Sequence, residues 1–425
     1  MRSRPDIIVV GCGAIGLSVA YNLAKRGLRV LAVDRVGPGA QTSKRAAGQS
    51  VIAQTDPAMG DLMHRSIALI AGFEERTGVP FKYHQVGSIK YALSDWSAAQ
   101  LEREVERATR LGATVSMVSL AEAQEAAPHT NAGAAVAAWH APNDIYFAPP
   151  DMLAAYHAAA ERAGVEFRFG EDVSDILIDS GKVVGVETQS GRIDAGAVVL
   201  TTGPWTKAML ARIGTNLPAV YVRHQYSIRS GIPDIHPGLP SVRIVDHAVY
   251  ARPEGSNLMF GTYEPNPLEL GSVPSRTEEV PLDGAAIETA LQKVAAVFRG
   301  LSGSNVVELR GGVTTMTPDG SYLIDEVADA RGLYFFTGCN VMGLSCAPAL
   351  GEELAEWLAT GKRTDVLRGF AVGRFDGRDY SSDDVRRKSL AEYEGIYRDA
   401  ESAGNERHYG VPPHQGAGAE GSGTA

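Results

Sequence analysis

Apolar and polar positions fall into recognisable blocks from the first residues onward. Residues 6–10 form a short, nearly continuous apolar run, 17–24 repeat apolar positions at helical spacing, and 29–33 are apolar again. That order predicts a buried strand, a helix and a second buried strand, the beginning of a parallel sheet. Residues 197–200 and 333–336 predict further buried strands, with a helix over 348–359 after the second. The β-branched and aromatic content of 221–229, 242–252 and 258–263 predicts strands of another, antiparallel sheet. Residues 95–111 are charged and periodic, the pattern of an exposed helix, and 383–398 read as a solvated surface helix. From about residue 404 the chain is rich in Gly, Pro and Ser, which predicts a disordered tail.

Glycines punctuate the first block. Gly11, Gly13 and Gly16 stand in a GxGxxG turn between strand and helix. Gly11 permits the tight turn, Gly13 lets backbone approach a pyrophosphate, and Gly16 lets helix and strand pack closely. The helix begins near Ala14 and Ile15, whose end of the helix carries free N–H groups and a positive dipole. Asp34 closes the second strand, where a carboxylate can accept from both ribose hydroxyls and repels a 2′-phosphate; Arg35 follows it. Cys12, inside the turn, reads as a small filler. Together these parts predict a dinucleotide site.

Later segments choose between dinucleotides. Ser43, Arg45, Ala46, Ala47 and Gly48 offer small residues for close backbone contact after the second strand. Val173 and the TTGPW stretch with Thr202, Gly203 and Trp205 form a second group. A second glycine turn holds Gly338, Asn340, Met342, Gly343 and Leu344 ahead of a helix, suited to approach a flavin ring. An NAD enzyme needs only the first element. Three elements spread along the chain predict FAD in an extended pose.

The fold class expected is α/β: a Rossmann-like FAD-binding domain of two-dinucleotide type with an inserted antiparallel α+β substrate domain. The flavin part collects 1–80, 145–215 and 306–375; the substrate part collects 81–144 and 216–305; 376–403 form a C-terminal helix and 404–425 the tail. The net charge of −10 opposes nucleic acid and anionic membranes as partners. Three cysteines without a CxxC pair, no apolar run long enough to span a bilayer, and no secretory signal point to a cytoplasmic protein. No His/Asp/Glu cluster has metal-ligand spacing, and no GxSxG occurs.

The segments GCGAIGLSVAYNLAKRGLRVLAVD, TSKRAAGQ, HAPNDIYFAPPDM, VVLTTGPWT, VRHQY, YARPEG with MFGTYE, TPDGSYLID and GCNVMGLSCAPALGEELAEWLATG, followed by Arg374-Phe375, occur in one order. In this the chain resembles the D-amino-acid-oxidase-like flavoproteins, closest to the flavin domain of dimethylglycine and sarcosine dehydrogenases and oxidases. The resemblance implies hydride removal from a carbon beside an amine nitrogen, with an imine then hydrolysed. His224 and Tyr250 are similar to the His and Tyr lining that family's substrate pocket: His224 to take or relay a proton, Tyr250 to orient the substrate. Tyr226, two residues from His224, shares its sheet face. Each of the three could instead be an ordinary sheet residue.

A substrate carboxylate calls for an arginine fork. Arg223, Arg243, Arg252 and Arg310 are available. Arg223 should point away from His224, whereas Arg252 shares Tyr250's face; Arg252 and Arg310 stand as candidates beside a plain ion-pairing role. Three departures bear on chemistry. Arg45 stands where dimethylglycine-type relatives carry the flavin on a histidine, and 311–315 lack the cysteine that does so in monomeric sarcosine oxidases. FAD is therefore expected to be non-covalent. Ser345 stands where those oxidases hold the carboxylate with a lysine, and no folate-binding half is expected to capture the product. The expected partners are a small-molecule amine, oxygen or an electron carrier, and a homo-oligomer or second subunit. A 2-hydroxy-acid dehydrogenase on the same fold, or an electron-transferring flavoprotein subunit, remains the alternative reading.

Overall fold

The computed structural model describes residues 4–376 and 381–397. Its first sheet has six strands, in the order Leu323–Glu326, Leu333–Thr337, Ala197–Leu200, Ile7–Val10, Val30–Asp34, Glu166–Phe169. All neighbours are parallel except the antiparallel edge strand Leu323–Glu326. The apolar runs form strands here because both faces are covered. Ile7, Val9, Val30, Ala32 and Val199 pack against the helices Ala14–Lys25, Pro149–Arg162 and Gly343–Thr360. Their neighbours Ile8, Val10, Leu31, Val33 and Val198 face the three-stranded sheet Val173–Asp179, Lys182–Thr188, Gly191–Asp194. The helix expected over 348–359 starts five residues earlier, directly after the glycine turn, and tolerates Pro348 inside it.

The second sheet joins chain segments far apart in sequence. It runs Glu269–Leu270, Val220–Ser230, Asn257–Thr262, Val249–Glu254, Ser241–Ile244, Ser88–Ala92, Ala137–Ala141, Ser116–Val118, and Asn305–Met316 pairs with Val220–Ser230. It is antiparallel except where Ser241–Ile244 runs parallel to Ser88–Ala92. Two boundaries differ from expectation. Asn305–Met316, expected with the flavin part, is paired along its length with Val220–Ser230. The stretch 242–252 is a hairpin whose turn passes through Ala248 at a φ of 49°.

One row of register partners crosses this sheet: Met117, Trp139, Lys90, Arg243, Tyr250, Gly261, Tyr226 and Arg310. Strand neighbours lie about 4.8 Å apart, so the row sets chemistry-bearing side chains at regular intervals on one face. A Cβ at Gly261 would lie 2.2 Å from the Tyr250 ring, so only glycine lets that ring lie across its neighbour strand.

The helix Asp95–Arg110 is capped by Ser94 and buries Leu101 and Ala108; its Glu104 reaches Lys90 Nζ at 2.7 Å. Ser382–Glu394 departs further from its reading as a solvated helix. It buries Ser389, Glu392 and Tyr393, because these share one face turned to the second sheet. Arg398 and the tail from 404 lie outside the described residues. No described helix is long and apolar enough to cross a membrane.

Candidate active site

A cleft opens at the carboxyl ends of Ile7–Val10, Val30–Asp34 and Ala197–Leu200, the usual place for a ligand on a parallel sheet. Its outer part, about 220 Å³, is lined by Gly11, Gly13, Asp34, Arg35, Ser43, Val173, Thr202, Gly203 and Trp205. Its inner part, about 160 Å³, is lined by Gly13, Ala14, Ile15, Ser43, Arg45, Ala46, Ala47, Gly203, Gly343, Leu344 and His224. Shared walls make the two one elongated space.

Local folding builds these walls. Gly11, at a φ of 97°, turns the chain, and a Cβ at Gly16 would lie 1.8 Å from the Gly11 carbonyl oxygen. Asp34 accepts from the backbone N–H of Cys12, Val36 and Gly37, which pins its carboxylate at the strand end. Ser43 Oγ accepts from the Ala14 N–H at 3.1 Å, closing the helix N-terminus. Arg35 lies over the Trp205 ring at 4.2 Å. In the second glycine turn Asn340 and Val341 have φ of 43° and 62°, strained for a β-branched residue. The Asn340 side chain holds that turn, accepting from Thr317 N–H and donating to Gly338 O. Gly338 faces Thr317 and Leu323, outside the cleft lining.

A third cavity, about 210 Å³, adjoins the inner cleft through Ala46, Ala47, Val341 and Leu344. Gly48, Asn340, Met342, Tyr250, Tyr263, Arg243, Lys90 and Tyr397 also line it. His224 sits between two tyrosines: Nε2 is 2.8 Å from the Tyr250 hydroxyl and Nδ1 is 2.8 Å from that of Tyr393. Arg243 is 5% exposed and donates from Nη2 to Gln49 Oε1 at 2.7 Å. Its Nη1 and the Gln49 Nε2 are buried without a hydrogen bond, and the nearest acid, Asp144 Oδ2, is 3.9 Å away. Lys90 beside it is held by both oxygens of Glu104.

Residues 6–357 match the family model described as FAD dependent oxidoreductase. The chain belongs to that family. It is 26% identical over 379 residues to 4-methylaminobutanoate oxidase (formaldehyde-forming) of Paenarthrobacter nicotinovorans, covering 87% of this chain and 45% of that protein. To the mitochondrial sarcosine dehydrogenase of Homo sapiens it is 27% identical over 390 residues, 88% of this chain and 42% of that one. The chain thus spans less than half the length of these curated relatives. Among solved structures, glycine oxidase from Geobacillus kaustophilus superposes with a TM-score of 0.76 at 26% identity, over 88% of this chain and 100% of that one.

The cleft of this family member fits its cofactor, FAD. Arg35 Nη2, Thr42 Oγ1 and Arg45 Nε are buried polar atoms without a partner in the protein, all on the cleft wall. An elongated anionic dinucleotide supplies acceptors for such donors. Asp34 and Gly11 lie at its outer part, the helix N-terminus at Ala14 and the second glycine turn at its inner part, and Gly13 lines both.

The expected carboxylate arginines are placed elsewhere. Arg310 pairs with Glu254 and Glu308, and Arg252 donates to Ala47 O at 2.6 Å and pairs with Glu254. Neither lines the cleft or the third cavity, because each guanidinium is held by the acids beside it. Tyr226 likewise bonds Ala46 O at 3.3 Å and stays behind the wall. Both therefore shape the Ala46–Ala47 turn. Arg223 points away, as expected, to Glu264 at 2.7 Å. Sequence reading missed Tyr263, Tyr393, Tyr397 and the place of Arg243 and Gln49.

Burial pushes His224 down to about 4, so at neutral pH its imidazole is neutral. Burial likewise keeps Tyr250 and Tyr263 well above the ordinary phenol range. His129, 3% exposed, is also lowered to about 4. The unfolded chain takes up these protons near 6.5, the fold only near 4. Stability is therefore fully present above about 6.5 and is lost as pH falls towards 4. His129→Leu is expected to flatten this acid limb of a Tm-against-pH curve, and an unchanged slope would contradict the neutral buried state.

Proposed function

We propose that this flavoprotein oxidises the C–N bond of a small secondary or tertiary amine bearing a carboxylate, of the N-methyl amino acid kind. The observation that carries the reading is the Arg243 guanidinium, buried with an open Nη1 one strand from Tyr250, in the cavity that adjoins the inner part of the flavin cleft. A carboxylate would complete that fork together with Gln49 Nε2. The names of the relatives, an oxidase of 4-methylaminobutanoate and a dehydrogenase of sarcosine, support an amine with a carboxylate. FAD, when bound, takes the hydride from the carbon beside the nitrogen.

The residues do the rest. Arg243 fixes the anionic end of the substrate. Tyr250, backed by a neutral His224, adds a polar contact without a strong acid, so the amine reacts unprotonated and its lone pair drives hydride loss. Tyr263 and Met316 give apolar cover. The imine released is hydrolysed by water to an aldehyde or keto product. We assign binding of the cofactor to the six-stranded sheet and of the substrate to the nine-stranded one. FAD is expected to be held without a covalent bond, since Arg45 stands where dimethylglycine-type relatives carry the flavin on a histidine and 311–315 hold no cysteine; acid precipitation should release all the yellow colour.

The test is an anaerobic titration of the flavin-loaded protein with N-methyl amino acids, unmethylated amino acids and 2-hydroxy acids. Bleaching by N-methyl compounds supports the reading, and readmitted air shows whether oxygen is the acceptor. Bleaching by a 2-hydroxy acid alone would replace it with C–O oxidation. Bleaching by none of them favours a subunit that receives electrons from a partner.

A further inference from the structure

The helix Ser382–Glu394 lies beyond the residues that match the family model, yet it delivers a side chain to His224, on the wall of the inner cleft. Tyr393 is 0% exposed, and its ring packs edge-on against His224 and Tyr263, with centroids 5.8 and 5.5 Å away. We infer that Tyr393 is a positioning residue: its hydroxyl donates to His224 Nδ1, fixes the imidazole hydrogen on Nε2, and so turns the Tyr250 hydroxyl hydrogen into the substrate cavity.

A count of hydrogens carries this. A neutral imidazole has one N–H and one bare nitrogen. Tyr393 is fully buried. Its O–H needs an acceptor, and among the described residues the one bonded to it is His224 Nδ1, at 2.8 Å. A buried O–H left unbonded is costly, so Tyr393 donates and Nδ1 is bare. The hydrogen then sits on Nε2 and donates to the Tyr250 oxygen, 2.8 Å away. Tyr250 makes no other hydrogen bond among the described residues, and it lines the cavity, so its O–H faces the substrate.

A donor there suits an acceptor such as a carboxylate oxygen and disfavours a protonated ammonium. The inference rests on the amine-oxidising reading only for which substrate group meets Tyr250. The order of hydrogens needs no substrate.

The experiment compares wild type with Tyr393→Phe, which keeps the ring, both flavin-loaded and labelled with 15N-histidine. His224→Gln identifies the His224 signals. The expected result is a bare Nδ1 and a protonated Nε2 in wild type. In Tyr393→Phe the preference for Nε2–H falls about tenfold, and both nitrogens move towards averaged positions. A hydrogen on Nδ1 in wild type, or unchanged resonances in the variant, would overturn the inference. With any compound that bleaches the flavin, Tyr393→Phe is expected to reduce it about tenfold more slowly at unchanged flavin content. A wild-type reduction rate also overturns the positioning role. If no amine bleaches the flavin, the amine reading fails and the nitrogen spectra still decide this one.

Discussion

Gly16→Ala is expected to give a colourless protein of lowered stability. A Cβ there would lie 1.8 Å from the Gly11 carbonyl oxygen and 2.6 Å from Thr201 Oγ1. The first of these atoms is backbone and cannot rotate away, so the helix Ala14–Lys25 must lift off the strand Ile7–Val10. Overpacking of this kind costs about 1–3 kcal/mol, and more where backbone must shift. Flavin content should fall at least tenfold, because the helix N-terminus leaves the place where the phosphates are held. Gly13→Ala is the contrasting case. Its Cβ would meet Ser43 Oγ at 3.1 Å and nothing closer, so the fold should keep its melting temperature. The added methyl crowds the cleft, however, and flavin affinity should drop. The measurement is the ratio of flavin absorbance to protein, with melting temperatures of both apo-proteins. A yellow Gly16→Ala protein melting like wild type would mean that helix and strand are not packed this way.

The difference between these glycines is local, and local features were the ones legible in the sequence. The spacing from Gly11 to Asp34 is set within one βαβ unit, so strand, turn, helix and acid could be placed together. The second glycine turn was visible for the same reason. The substrate cavity was not. Trp139, Lys90, Arg243 and Tyr250 come from four strands, and their side-by-side order depends on Ser88–Ala92 pairing in parallel with Ser241–Ile244. Periodicity fixes which face a residue takes, not which strand lies beside it. Alternation therefore put Arg252 correctly on the Tyr250 face, but could not reveal that Glu254 and Ala47 occupy it. Arg243, directly opposite Tyr250, carried no distinguishing mark. Tyr393 was hidden differently. Its helix is so charged that it reads as solvated, although Ser389, Glu392 and Tyr393 already trace one narrow face.

Arg243→Lys is expected to raise the KM for a carboxylated amine roughly ten- to a hundredfold, with kcat less affected. Lysine keeps the charge but loses the fork, and with it the bond to Gln49 Oε1 and the open Nη1 donor. One charge-assisted hydrogen bond of about 1.5–3 kcal/mol corresponds to that range. Retaining a cation matters to the fold. Asp144 is 1% exposed and 3.9 Å from Arg243 Nη1, and burial raises its carboxyl pKa even with that cation near. Arg243→Met would leave Asp144 buried without a counter-charge, a loss of about 3 kcal/mol or more that would confuse binding with unfolding. The lysine variant avoids this, and its melting temperature should stay near that of wild type. The decisive comparison is the same amine as its free acid and as its methyl ester. If Arg243 holds the carboxylate, Arg243→Lys weakens the acid and leaves the ester where wild type has it. An equal loss for both would show that the residue shapes the cavity without reading the charge. An unchanged KM for the acid would remove Arg243 from the substrate site altogether, and with it the observation on which the carboxylated-amine reading stands.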